Sequence, residues 1–171
     1  MGLQPTLTGP RLRLRPLAAD DYDALYAVAA DPLLWDRHPA KRYRPEVFAE
    51  FFAQSLASGG CLVVELRDGG SVIGTSRFKP LPGDFVEIGW SVLARAYWGG
   101  DYNRELKSLM VAHLTAHGKR GVLNVAGGNH RSARAAEKVG GRLATEDYYP
   151  ELVDERPGYR SYVLPEVISP P

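Results

Sequence analysis

No disulfide can form within this chain, because Cys61 is its only cysteine. Its place in the apolar run CLVVEL reads as a buried, inert thiol, and such usage suits a reducing cytoplasm. A surplus of one charge is missing as well. Against 21 Lys and Arg stand 20 Asp and Glu, a net +1, so the chain cannot hold nucleic acid or an anionic membrane through bulk charge. Any charged partner must be met by a local patch. No apolar run approaches the ~20 residues of a membrane helix, and MGLQPTLTGPRLRLRP has no signal-peptide core. A soluble, unexported, cytoplasmic protein is expected, with neither nucleic acid nor membrane as partner. Internal repeats are absent, and the tail EVISPP is expected to be loose.

What is present is enough for one core. At 171 residues, 44 % hydrophobic, the chain has the size of a single domain, 1–171 with its core at about 7–164. Glycine pairs at 59–60, 69–70, 99–100, 127–128 and 140–141 fall where the hydrophobic period changes. RLRLRPL alternates as a half-buried strand, with Arg11, Arg13 and Arg15 on one face. Residues 19–30 place Tyr22, Leu25, Tyr26 and Ala29 at helical spacing, and Pro45 to Ser58 reads as a second helix that Gly59 stops. Three strands joined by short turns follow in CLVVELRDGGSVIGTSRFKPLPGDFVEIGWSVL. Then come a helix from Tyr102 to His117, an apolar strand RGVLNVA, a short helix NHRSARAAEKVGG, and two last strands in RLATEDYY and GYRSYVLP. The expected class is mixed α/β (α+β). It has a mostly antiparallel sheet of six to seven strands, a parallel pair at strands four and five, and about four helices. An open crevice is expected at the C-terminal ends of that pair.

Between strand four and the third helix lies SVLARAYWGGDYNRELKSLM. A glycine-rich turn into a helix offers free backbone N–H groups to a phosphate. Asp101 points the other way: it repels a phosphate, or caps the helix itself. Both readings stand at this level. Arg104, Lys107, Arg131 and Arg134 are cations that could offset the carboxylate.

The order of elements, together with EIGWSV, YWGGDYNRELKSLM and GGNHRSARAAEKVGGR, resembles the GNAT superfamily of N-acetyltransferases, in particular the branch containing the ribosomal-protein N-terminal acetyltransferases. The likeness runs from about Leu7 to Leu164. It implies that acetyl-coenzyme A lies in the splay between strands four and five, with its pyrophosphate on the loop before the third helix. It also implies acetyl transfer to a primary amine, on a protein N-terminus or a small molecule. The family's phosphate signature is Gln or Arg, two residues, Gly, one residue, then Gly or Ala. Here those positions are Trp98, Gly99, Gly100, Asp101, Tyr102 and Asn103, and every specified position departs. The alternative is therefore a catalytically inactive GNAT-like binding domain with a degenerate phosphate loop.

Acetyl transfer needs a base for the amine, donors for the thioester carbonyl and a proton for the thiolate. Glu87, a lone carboxylate among apolar or small neighbours on strand four, is the candidate base. Partial burial would raise its pKa; the plain alternative is a strand glutamate paired with Arg77 or Lys79. Simple alternation puts Val86, Ile88, Trp90 and Val92 on one face and Phe85, Glu87, Gly89 and Ser91 on the other. By resemblance, the backbone of Ser91, Val92 and Leu93 bonds the pantetheine chain, and Asn129 and Ser132 match positions that line the cofactor. By the same resemblance Ser132 could protonate the thiolate; many members use a tyrosine one turn further on, where this chain has Ala136. Asn129 is also a plain helix cap, and Ser132 a helix hydroxyl bonded to its own backbone.

Acceptor-side candidates are Trp35, Arg37 and His38, in the loop LLWDRHPAKRY, and Tyr148 in EDYYPELVDER. The first loop also reads as a solvated basic segment. The second carries five carboxylates, an acidic rim that would attract a protonated amine. His113 and His117 are four apart on a helix but lack acidic or cysteine partners, so no metal is expected. A homodimer is compatible with all of this.

Overall fold

Alternating leucines make the first long strand what its sequence promises. The computed structural model describes residues 1–36, 38, 40–153 and 156–168. Within it, β1 (Leu7–Thr8) folds back on β2 (Leu12–Pro16), whose Leu12 and Leu14 are wholly buried. On the other face Arg13 and Arg15 meet Glu65, and Arg15 also clasps Asp21. A 3-10 turn at Ala19–Asp21 leads into α1 (Tyr22–Ala29), and α2 (Pro45–Ala57) starts at its proline. The antiparallel run β3 (Cys61–Leu66), β4 (Val72–Pro80) and β5 (Phe85–Leu93) follows. Then come α3 (Tyr102–Thr115), β6 (Arg120–Ala126), α4 (His130–Lys138), β7 (Arg142–Leu143) and β8 (Tyr159–Val163).

The eight strands form one sheet in the order β1-β2-β3-β4-β5-β6-β8-β7. The two-residue β1 makes it longer than expected and shifts the strand numbers by one, so the expected parallel pair is β5 and β6. α3 and α4 cover one face. Leu106, Met110, Leu114, Ala136 and Val139 pack there on Leu12, Leu14, Leu62, Val64, Val86 and Ile88. α1 and α2 cover the other, with Leu25, Ala29, Phe48, Phe51 and Phe52 against Cys61 and Val63. Among the described residues, no helix is long and apolar enough to cross a membrane.

Two elements differ from expectation. RLATEDYY gives only Arg142–Leu143 to the sheet, because Thr145 and Tyr148 bridge each other across a turn. The tail is not loose up to residue 168: Ile168 is buried in the core, and the Glu166 carbonyl accepts from the Thr115 hydroxyl.

The feature that positions the site is the parting of β5 and β6. They pair only at Phe85 with Arg120, Val86 with Gly121 and Glu87 with Val122. From Ile88 on, β5 has no strand on that edge. A bulge accompanies the parting. Arg77 pairs with Gly89 and Thr75 with Val92, so Ser76 opposes both Trp90 and Ser91. Trp90 takes the extra turn at φ 51, a left-handed conformation uncommon for a bulky residue. Gly74 lies beside it because the strands approach too closely for a side chain: a Cβ there would be 2.0 Å from the Val92 carbonyl oxygen.

Gly74→Ala should therefore lower stability by about 2 kcal/mol or more, as overpacking against backbone does. Gly128→Ala, with nothing within 4 Å of the added carbon, serves as the neutral control. Denaturant midpoints measure both; a Gly74→Ala midpoint equal to wild type would contradict the close approach.

Candidate active site

The loop from β5 to α3 closes the end of the gap. Trp98 anchors it by donating its indole N–H to the Leu93 carbonyl at 2.8 Å. Gly99 turns at φ 76, and a Cβ there would meet nothing within 4 Å, so the backbone is open on its outer side. Asp101 occupies the N-cap position of α3 but its side chain caps nothing. It turns to Arg11, whose Nη1 donates to it at 3.3 Å. The expected alternative, a helix capped by its own aspartate, is not what the loop does. Only the backbone closes the first turn, through the Glu105 N–H on the Asp101 carbonyl. The N–H groups of Tyr102, Asn103 and Arg104 thus open α3 without a side-chain cap, at the positive end of the helix dipole.

α4 begins against this loop. Asn129 caps it, its Oδ1 accepting from the Ser132 N–H at 3.1 Å, and Ser132 is half-buried in the first turn. Arg131 lays its guanidinium 4.6 Å from the Trp98 ring centre and lies 3.7 Å from Asp36. Arg104 donates to the Lys138 carbonyl at 2.8 Å, and Arg134 is exposed on α4. The Arg131–Trp98 stack thus brings the start of α4 against the loop before α3.

Lys107 is elsewhere. It is 4 % exposed, under the sheet, and its Nζ donates to Ser91 Oγ at 2.5 Å. Ser91 Oγ is in turn 2.8 Å from Ser76 Oγ. The three side chains converge on the bulge from α3, β5 and β4. Burial pushes the Lys107 pKa down to about 7, and no ion pair among the described residues counters it. Its signal in the sequence was a lysine within an apolar stripe, at 107 beside Leu106, Met110 and Leu114.

On the opposite face stands Glu87, 2 % exposed, with Arg156 Nη1 at 3.5 Å from its Oε1. The register puts it across from Lys79, and among the described residues it forms an ion pair with Arg156. The bulge inverts the expected alternation. Val86 and Ile88 face α3, whereas Trp90 and Val92 pack towards α1 and α2, and Ser91 turns to Lys107. Trp90 and Glu87 thus share a face, with the Arg77 guanidinium 3.5 Å from the Trp90 ring centre.

The other acceptor-side candidates are spread around this point. Trp35 is 3 % exposed and donates its indole N–H to the Ala29 carbonyl. His38 stacks edge-on against Trp35, and burial, then the charge of Arg42, pushes its pKa down. Arg37 lies outside the described residues. Tyr148 is across the chain in the turn after β7, under the Arg142 guanidinium at 4.3 Å. His113 and His117 spend one ring nitrogen each on backbone carbonyls, of Gly2 and His113.

The sequence profile of the acetyltransferase (GNAT) domain matches residues 11–142. The chain belongs to the GNAT acetyltransferases. No curated protein matches its sequence significantly. Solved structures do match. A GCN5-related N-acetyltransferase from Brucella melitensis shares 19 % identity at a TM-score of 0.77, over 95 % of this chain and 79 % of that one. An acetyltransferase from Agrobacterium tumefaciens str. C58 shares 26 % at 0.69, over 94 % of each. Mycobacterium smegmatis RimJ, in complex with CoA-disulfide, shares 19 % at 0.65, over 95 % of this chain and 87 % of that one.

Lys107 supplies a prediction. Its proton is lost near pH 7 in the folded protein but near the ordinary lysine value of 10.5 when unfolded. Between those values the unfolded state binds more protons, so this group's contribution to stability rises with pH. Below pH 7 the full cost of the buried charge is present. Lys107→Met should therefore be more stable than wild type at pH 6 by on the order of a few kcal/mol, an advantage that shrinks by pH 10. Denaturation at both pH values tests this; a difference independent of pH would show that Lys107 is not a buried titrating amine.

Proposed function

We propose that the protein is an N-acetyltransferase that moves acetyl from acetyl-coenzyme A to a primary amine. The observation that carries this reading is the uncapped first turn of α3, with Asp101 drawn aside to Arg11, at the end of a β5 edge that has no strand partner. A diphosphate needs those amides, and an open Gly99 lets it reach them. Asp101, one of the departures behind the inactive-domain alternative, is turned aside to Arg11; the departures at Trp98 and Asn103, and Ala136 in place of the tyrosine, remain. The CoA-disulfide held by the M. smegmatis neighbour supports the same donor. It also supports the ribosomal-protein branch, in which the acceptor is a protein N-terminus; a small-molecule amine fits the same chemistry.

When bound, acetyl-coenzyme A supplies the activated acyl group. The chain supplies the rest. The amides of residues 99–104 hold the pyrophosphate, with Arg134 as the exposed cation nearby. The backbone of Ser91, Val92 and Leu93 bonds the pantetheine arm. Glu87 accepts the proton of the attacking amine, directly or through water, from a buried position that keeps it close to the acceptor and away from bulk solvent. Ser132, at the start of α4, offers its hydroxyl proton to the departing thiolate. The acceptor comes in between the 32–45 loop and the 146–156 loop, where Trp35, Arg37, His38 and Tyr148 are placed in the sequence.

Glu87→Gln keeps the shape and removes the base. Turnover should fall roughly a hundredfold or more, while calorimetry with acetyl-coenzyme A should show micromolar binding in both proteins. An unchanged rate removes Glu87 from the mechanism. No heat of binding at millimolar donor, in wild type, overturns the enzyme reading and restores the binding domain.

A further inference from the structure

We propose that Arg42 and Arg77 form an oxyanion site, so that the acceptor is an amine that also carries a carboxylate or phosphate group. This rests on the acetyltransferase reading for the amine end alone; the anion site stands on its own geometry. Both side chains are half-buried on the α1/α2 face. Arg77 stacks on Trp90 at 3.5 Å from the ring centre. Arg42 stacks on Phe51 at 4.1 Å and Trp35 at 5.1 Å. Among the described residues neither forms an ion pair, and neither donates a hydrogen bond to protein. Stacking occupies the flat faces of a guanidinium and leaves its five in-plane N–H donors directed outward.

Two cations held this way without anions are costly, because aromatic stacking offsets only part of a guanidinium's lost hydration. Burial, followed by the charge of Arg77, brings Arg42 down to about 10, and burial lowers Arg77 as well. The surrounding charges do not balance the pair. His38 feels the positive charge of Arg42, and of Lys41 and Arg131 as well, so the charge beside Arg42 is further cation. Glu87 is the one carboxylate acting on Arg77, and it is shared with Arg156. An oxyanion would take the outward donors of both forks and cancel their repulsion.

Its place decides the substrate class. Arg77 stacks on Trp90, at the bulge that opens the gap, pairs across the strands with Gly89, two residues beyond the candidate base Glu87, and feels that carboxylate's charge. An acceptor with its oxyanion on the arginines presents its amine near Glu87. The exposed Glu146, Asp147 and Glu151 of the rim then guide the ammonium end of the same zwitterion. The class includes amino acids, aminoalkyl phosphates and peptides with an acidic first residue; simple amines and polyamines lack the anion.

Matched probes test this on the full chain. Glycine is set against glycinamide, O-phosphoethanolamine against ethanolamine, and Asp-Ala amide against Asn-Ala amide, with putrescine as a dication. Binding is read by tryptophan fluorescence without acetyl-coenzyme A, and transfer by thiol release with it. The expected result is at least a tenfold preference in kcat/KM for the anionic member of one pair, which names the source of the oxyanion. That preference should fall below threefold in Arg42→Met and in Arg77→Met. Should a methionine variant not fold, Arg42→Lys and Arg77→Lys keep the charge without the fork and should weaken the preference at least threefold. Saturable, arginine-dependent binding of an anionic probe without transfer upholds the site while the acetyltransferase reading falls. Equal or better use of neutral amines or putrescine, preference retained in the variants, or no saturable binding of any anionic probe overturns the proposal.

Discussion

The bulge at Trp90–Ser91 is the constraint on which the site depends. Two parallel strands in mid-sheet would ordinarily pair along their whole length, and a slot between them exists only because one is turned aside. An extra residue in β5 opposite Ser76 does this, and increases the local twist as bulges do. The turn must then be held, since an unpaired stretch of backbone in the middle of a sheet otherwise costs hydrogen bonds. Gly74 lets β4 pass close by on one side, and the Lys107–Ser91–Ser76 chain ties the bulge to α3 below. A buried lysine is an expensive tie, which is reason to regard the geometry, rather than stability, as what it secures.

The same bulge divides the labour between the faces. Before it, Val86 and Ile88 face α3; after it, Trp90 and Val92 face α1 and α2. The inversion sends Ser91 inward to Lys107 and places Trp90 beside Glu87, with Arg77 stacked upon it. Uncapped backbone amides and a helix N-terminus stand beyond the end of β5, while side-chain charge, Glu87 and Arg77 among it, collects on the α1/α2 face.

Much of the fold was legible because its signals are local. Pro45 marked the start of α2, the apolar run 120–126 marked β6, and the strand–helix–strand order marked the parallel pair. The bulge was not legible. EIGWSVL alternates without interruption, and nothing in a tryptophan announces a φ of 51, so the faces of residues 90–92 came out inverted. Asp101 was readable as a capping residue type, but its partner Arg11 is 90 positions away in sequence. Arg42 and Arg77 belong to different elements, and only the fold brings their charges together. Lys107 does leave a trace in the sequence, as a cation inside an apolar stripe, but sequence alone does not separate it from the other cations near the loop.

The central claim is that the uncapped amides before and within the first turn of α3, together with the free edge of β5, hold a diphosphate-bearing thioester. Amide chemical shifts of the isotope-labelled protein, followed as coenzyme A is added, test it at residue level. The account predicts saturable shifts concentrated at residues 91–93 and 99–104, with the Asp101–Arg11 contact preserved. Shifts scattered over the surface, or none at those amides at millimolar coenzyme A, would contradict it.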